Sequence, residues 1–370
     1  MATLGSNSWT IGNQLVSGFY PNRIPNPDLK WEKTGQFDIG FDLGLFNNRL
    51  RLTADYYYKK TTDLLYNVAI PSASGYDSML KNIGSVQNKG YELSIESDNL
   101  SGAFSWTTAF NISFNRNKVL ELGGETYKDV GTYDDHLKTS DIRRLIVGQP
   151  IGVFYGYRFD GIFQNEAECA QQTSSPSPIG VGLRRYKDLN GDGKIDATND
   201  REILGDANPK FFGGMTNTFA YKGFELNVFL QYSYGNKIFN YNAMELESPT
   251  GGQNVYQDLV NRWTPTNPSN EYQKATTNRN NIVSDRFIED GSFLKLKTVS
   301  LSYSFPKLNW KHIGGLRLYV TGQNLLTWTK YRGYDPEVSY RGASTLEAGE
   351  DFGGYPQART FMFGIKLDIK

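Results

Sequence analysis

Apolar and polar residues alternate along this chain over unusual lengths. In QFDIGFDLGLF, Phe37, Ile39, Phe41, Leu43 and Leu45 are separated by Asp38, Gly40, Asp42 and Gly44. A period of two is that of a strand with one apolar and one wet face. RLRLTADYYYKK repeats it, with Leu50, Leu52, Ala54, Tyr56 and Tyr58 on one face and Arg49, Arg51, Thr53 and Asp55 on the other. Asn47 and Asn48 lie between, and asparagine tolerates positive φ, so a tight hairpin is predicted.

The unit recurs three times and a last strand ends the chain. GYELSIES and AFSWTTAFNISFN join through DNLSG; the pair from Phe211 to Tyr234 turns at Lys222 and Gly223; SFLKLKTVSLSYSF and LRLYVTGQNLLTW join through PKLNWKHIGG; RTFMFGIKLDIK comes last. Counted this way there are about nine strands, near the ~9 to 11 residues that a tilted strand needs to cross a bilayer. Short turns follow the first, third, fifth and seventh. The other connections are long, roughly 60–88, 117–210, 235–291 and 329–358. This regular exchange of short and long is that of an outer-membrane barrel, with periplasmic turns and outer loops.

A soluble β-sandwich also alternates, and it is the competing architecture. Its strands are usually ~5 to 6 residues. Here the strands are longer, the polar face carries Asp38, Asp42, Arg51, Asp55, Glu92 and Glu96, and aromatics such as Tyr56, Tyr57, Tyr58, Tyr232, Tyr234 and Trp328 gather at strand ends like membrane girdles.

Composition agrees. The 370 residues are only 38% hydrophobic, yet carry 24 Tyr, 22 Phe and 38 Gly, a β-protein's profile. With 39 basic and 39 acidic residues, nothing points to nucleic acid. No run has the length of an apolar transmembrane helix, and MATLGSNSWTIGNQ lacks the basic segment and apolar core of a signal peptide. The single cysteine, Cys169, forms no internal disulfide.

NPDLKWEKTGQFDIGFDLGLFNNRL, NKGYELSIES, IGVFYGYRFDGIF, YKDLNGDGKID, RFIEDGSFLKLKTVSLSYSF, LRLYVTGQNLLTW, GYDPEV and GGYPQARTFMFGIKL resemble, in that order, the C-terminal part of SusC/RagA family TonB-dependent outer-membrane transporters of Bacteroidetes. The resemblance runs from about Pro25 to Lys370. It implies an all-β fold: an antiparallel transmembrane β-barrel portion of about nine strands, belonging to a barrel of about 22, with long extracellular loops. It further implies import of oligosaccharides or peptides, a SusD-like surface lipoprotein as lid, energy from the TonB–ExbB–ExbD complex, and outer-membrane lipid as surroundings.

A full family member also has a signal peptide, a TonB box, a plug and further strands. None is recognisable here, so residues 1–370 are expected to be an incomplete barrel fragment that does not transport alone, its unpaired strand edges costing several kcal/mol per exposed backbone group in lipid. GIKLDI at the end resembles a barrel-insertion signal without its terminal aromatic. The alternative function is a secreted, calcium-stabilised β-sandwich that binds a ligand.

The chemistry-bearing motif is DLNGDGKID. Asp188, Asn190 and Asp192 and the carbonyl of Lys194 match loop positions 1, 3, 5 and 7 of a calcium loop, Gly193 the sharp turn, and Asp196 position 9. Asn199 stands at position 12, where a sensor places its bidentate Glu, and Asp200 follows one residue late. A Ca²⁺ site that stiffens an extracellular loop over 188–200 is therefore expected, rather than a sensor; an Asx-rich turn without metal is the competing account. No GxSxG is present, and His136 and His312 sit in a loop and a turn without a nucleophile constellation, so no enzyme activity is expected. Arg143–Arg144 and Arg184–Arg185 read as solvated or paired loop charges. Tyr155, Tyr157, Tyr331 and Tyr334 are candidates to stack on sugars, with packing as the default role.

Overall fold

Each long alternating segment forms a strand: β1 (Thr3–Ile11), β2 (Gln14–Arg23), β3 (Lys33–Leu45), β4 (Leu50–Thr62), β5 (Ser85–Leu100), β6 (Phe104–Glu121), β7 (Phe211–Tyr221), β8 (Phe224–Tyr234), β9 (Phe293–Ser304), β10 (Ile313–Thr329) and β11 (Thr360–Ile369). The structure is a computed structural model that describes residues 3–74, 76, 78–130, 142–248, 254–277, 281–306, 312–337, 339–342 and 344–369. From β3 to β11 the strands pair in chain order into one antiparallel sheet of nine. This is the antiparallel barrel wall of about nine strands that the alternation predicts, and not the competing sandwich of two packed sheets. Among the described residues β1 and β2 pair only with each other, turning at Gly12 and Asn13, both at positive φ; glycine and serine break their alternation, so no clean period of two marks them in the sequence.

Turn chemistry sets the registers. Asn47 and Asn48 have φ of 57° and 63°, and Lys222 and Gly223 have 46° and 87°, the left-handed pairs that match the twist of a hairpin. One break in alternation is absorbed by a bulge. In FLKLKTVSLSYS the apolar set shifts from Leu294 and Leu296 to Val299, Leu301 and Tyr303, and the register shifts between Leu296 and Thr298. The extra residue lets both apolar sets share one face.

The wall has little buried interior: β3 is exposed at every residue. Its apolar face joins rows such as Leu52, Ile95, Phe110 and Met215. Aromatic belts edge this face. At the long-connection end, Phe114, Phe211 and Tyr234 follow one another at 5.9 and 5.0 Å; at the short-turn end, Trp106 meets Phe219 at 5.7 Å and Phe224 meets Tyr303 at 4.5 Å. Tyr57 corrects the girdle expectation. It pairs with Asp38 and Gly90 and its hydroxyl donates to Asn115 Oδ1 at 3.0 Å, so it belongs to the polar face.

The core lies in the long connections. Ile142 and Phe154 of the second pack with Phe239, Tyr241, Met244, Val283 and Phe287 of the third. Lys237–Asn240 pairs antiparallel with Ile288–Asp290 and parallel with Glu350–Asp351 of the last. Three connections thus fold into one mass at a single end of the wall.

Candidate functional site

Charged side chains bind that mass together. Glu247, completely buried, follows the short helix Tyr241–Leu246 and takes three guanidinium groups: Arg286 Nε at 2.7 Å, Arg332 Nη1 at 3.3 Å and Arg184 Nη2 at 3.8 Å. Arg332 also reaches Glu289 at 2.9 Å. Arg143 meets Glu350 at 2.8 Å with both side chains buried; burial drives the guanidinium down and the carboxyl up, each opposed by its partner. The pairs expected of Arg143 and Arg184 exist, but neither residue is solvated. A buried charge is tolerated only when paired.

The last connection also touches the wall's polar face. Lys295 of β9 donates to Asp335 Oδ1 at 2.6 Å and to Glu337, while Gln231 of β8 donates to Glu337 at 2.9 Å. Glu247, Glu289, Lys295, Asp335, Glu337 and Glu350 were not singled out from sequence. The only signal was their type, acidic or basic residues beside strand ends.

The 188–200 loop closes through its own backbone. Asp188 accepts from the amides of Gly191 at 2.6 Å and Gly193 at 2.7 Å, Asn190 from Asp192 at 3.2 Å, and Asp192 from Lys194 at 2.8 Å. Asp196 accepts from Thr198 and Asn199, bonds that hold its carboxyl below the usual range. Asp200 is buried and its two oxygens take the amides of Leu189 and Asp196, both at 2.8 Å. Gly191 and Gly193 supply positive φ at 77° and 76°. Among the described residues no three carboxylate, histidine or cysteine side chains converge as a metal cluster. The donor set is nevertheless all oxygen, the ligand type that calcium takes.

Of the tyrosines, Tyr157 packs at 5.8 Å on Tyr186, and Tyr331 is buried with its hydroxyl bonded to Asp351. Tyr155 lies under the Arg144 guanidinium at 3.9 Å, leaving Tyr334, 79% exposed, as the one with free faces. His312 sits in a turn; His136 lies outside the described residues.

A family model for the TonB-dependent receptor-like β-barrel matches residues 2–163. TonB-dependent receptor P3 of Formosa agariphila is 40% identical over 99% of this chain. The chain belongs to the TonB-dependent receptor β-barrel family. TonB-dependent receptor SusC of Bacteroides thetaiotaomicron is 29% identical over 98% of the chain. The structure of the RagAB peptide transporter superposes with a TM-score of 0.81 at 26% identity, over 99% of this chain and 38% of that one. The chain spans 37% of the length of the Formosa receptor P3 and 34% of that of SusC. For a receptor barrel of the outer membrane, the apolar face with its two aromatic belts is the bilayer face and the polar face lines the lumen.

Proposed function

We propose that this chain is the C-terminal part of the barrel of a SusC-like importer of oligosaccharides or peptides. The observation that carries the reading is the folding of three long connections into one mass, tied to the lumen face through Lys295 and Asp335. A mass held over the mouth controls entry, whereas free loops would leave the lumen open. A SusD-like lipoprotein fits above it as a lid, and the TonB–ExbB–ExbD complex supplies energy through a plug elsewhere in the transporter. The relatives carry receptor names, and transport here needs no catalytic group.

The test is uptake of labelled oligosaccharides and peptides by cells carrying the intact transporter, with and without TonB. Uptake of one class that vanishes without TonB supports the reading; uptake unchanged by loss of the transporter refutes it.

A weak calcium site in the 188–200 loop is the second element. It is favoured by the amide bonds that orient Asp188, Asn190 and Asp192. Each carboxylate has about four lone-pair sites, so two amide bonds leave oxygen for a cation.

A further inference from the structure

The first long connection folds back as a hairpin, Leu65–Ala69 against Ser78–Asn82. Beneath it lies a cavity of about 330 Å³ walled by Val86, Val119, Leu145 and Ile151, residues of the wall ends and of the second connection. Leu65 and Leu346 also line it and are 38% and 37% exposed, which places them at the mouth. Polar groups stand at the rim: Glu121 and Glu125 are exposed, and Lys128 holds its Nζ 3.9 Å over the Tyr66 ring.

This lining selects one ligand chemistry. An apolar cavity of about 150 Å³ takes a benzene ring, so this one has room for a large aliphatic or aromatic side chain. A sugar ring fits the inner wall poorly, because hydroxyls seated against Val86, Val119, Leu145 and Ile151 would leave water without gaining a side-chain partner there. The rim supplies both signs of charge, which suits a peptide with a backbone and termini to satisfy. We propose that the cavity binds an apolar side chain, of the leucine or phenylalanine class, presented by a peptide. The site deepens the import reading by naming peptides as the substrate class, and rests on that reading only for its biological use.

The experiment uses the transporter reconstituted in lipid nanodiscs, because free detergent tails would compete for the cavity. It is titrated calorimetrically with Gly-Ser-Phe-Ser-Gly and with Gly-Ser-Ser-Ser-Gly. The phenylalanine peptide is expected to bind at least tenfold more tightly. Ile151→Trp, which fills the interior, and Leu346→Asp, which charges the exposed mouth without touching the wall, should each reduce that preference below twofold. Equal affinities in the parent protein overturn the proposal, as does a tenfold preference that survives in folded Leu346→Asp protein. Uptake by cells is measured separately: peptide uptake without the binding preference refutes the pocket alone, and a binding preference without uptake refutes transport alone.

Discussion

Lys295 and Asp335 meet at 2.6 Å with both side chains buried, one on the barrel wall and the other in the last long connection. Burial alone would push the Asp335 carboxyl up, but the Lys295 ammonium and the Glu337 amide hold it below the usual range. A carboxyl whose folded pKa is depressed adds stability that is fully present above its unfolded value and lost as pH falls through the folded one. The unfolded value is about 3.9, so the connection should stay docked at neutral pH and begin to release below about pH 4. Lys295→Ala, which leaves a buried carboxylate unpaired, should release it at neutral pH. Protease cleavage within 330–358 on whole cells reads this out, and a resistant Lys295→Ala protein would contradict it.

Glu247→Ala should be the most damaging single change in the outer mass. It leaves Arg184, Arg286 and Arg332 facing one another with their shared anion gone. Breaking a buried ion pair costs roughly 3 to 5 kcal/mol. The outer mass should then be digested at a protease concentration that spares the parent, while the wall keeps its heat-modifiable migration. Loss of the wall as well would show that the two do not fold as separable units.

The wall was legible in sequence and the outer mass was not, for a physical reason. Alternation reports which face of a strand meets lipid, residue by residue, and Phe37 to Leu45 carries that record without help from distant residues. The partners in the ionic network are remote: Arg332 reaches Glu247 across 85 residues and Arg143 reaches Glu350 across 207. No local pattern encodes such pairs. Tyr57, by contrast, follows from alternation alone: a period that sets Tyr56 and Tyr58 with Leu52 and Ala54 sets Tyr57 with Asp55 on the polar face, where it pairs with Asp38 and Gly90.

The two faces of β5 should differ sharply in tolerance for charge. Ile95 pairs with Leu52 and Phe110 on the apolar face, and Ser94 with Thr53 and Asn111 on the polar face. Ile95→Arg should cost roughly 2 to 4 kcal/mol near the bilayer centre, whereas Ser94→Arg should stay within about 0.5 kcal/mol. Urea unfolding of the transporter in lipid vesicles measures both. Equal costs would invalidate the assignment of faces.

Topology is testable by labelling. Cysteines at Lys187 and Val260, both exposed in the long connections, should react with a membrane-impermeant maleimide on whole cells. Cysteines at Asn47 and Lys222 in the short turns should not. Tyr186, although in the same connection, is fully buried and unsuited to the assay, and native Cys169 is buried too. Labelled short turns with silent long connections would invert the orientation.

The last expectation concerns the loop from Asp188 to Asp200, where two accounts predict different behaviour. If the backbone bonds to Asp188, Asn190 and Asp192 are its whole purpose, calcium changes nothing. If they instead orient oxygens toward a cation, the loop binds calcium weakly, because it lacks the bidentate Glu that Asn199 replaces. Extracellular sites of this kind have dissociation constants of ~10⁻⁴ to 10⁻³ M. Asp200 separates scaffold from ligand: it is buried and holds the amides of Leu189 and Asp196, so Asp200→Asn should loosen the loop while leaving the outer oxygens in place. Calorimetric titration of the reconstituted transporter should show one calcium site in that range. Asp188→Ala with Asp192→Ala should abolish it, and Asp200→Asn should weaken it severalfold. An ordered loop with no ion in millimolar calcium, or binding unchanged in the double variant, leaves the Asx turn as the whole account.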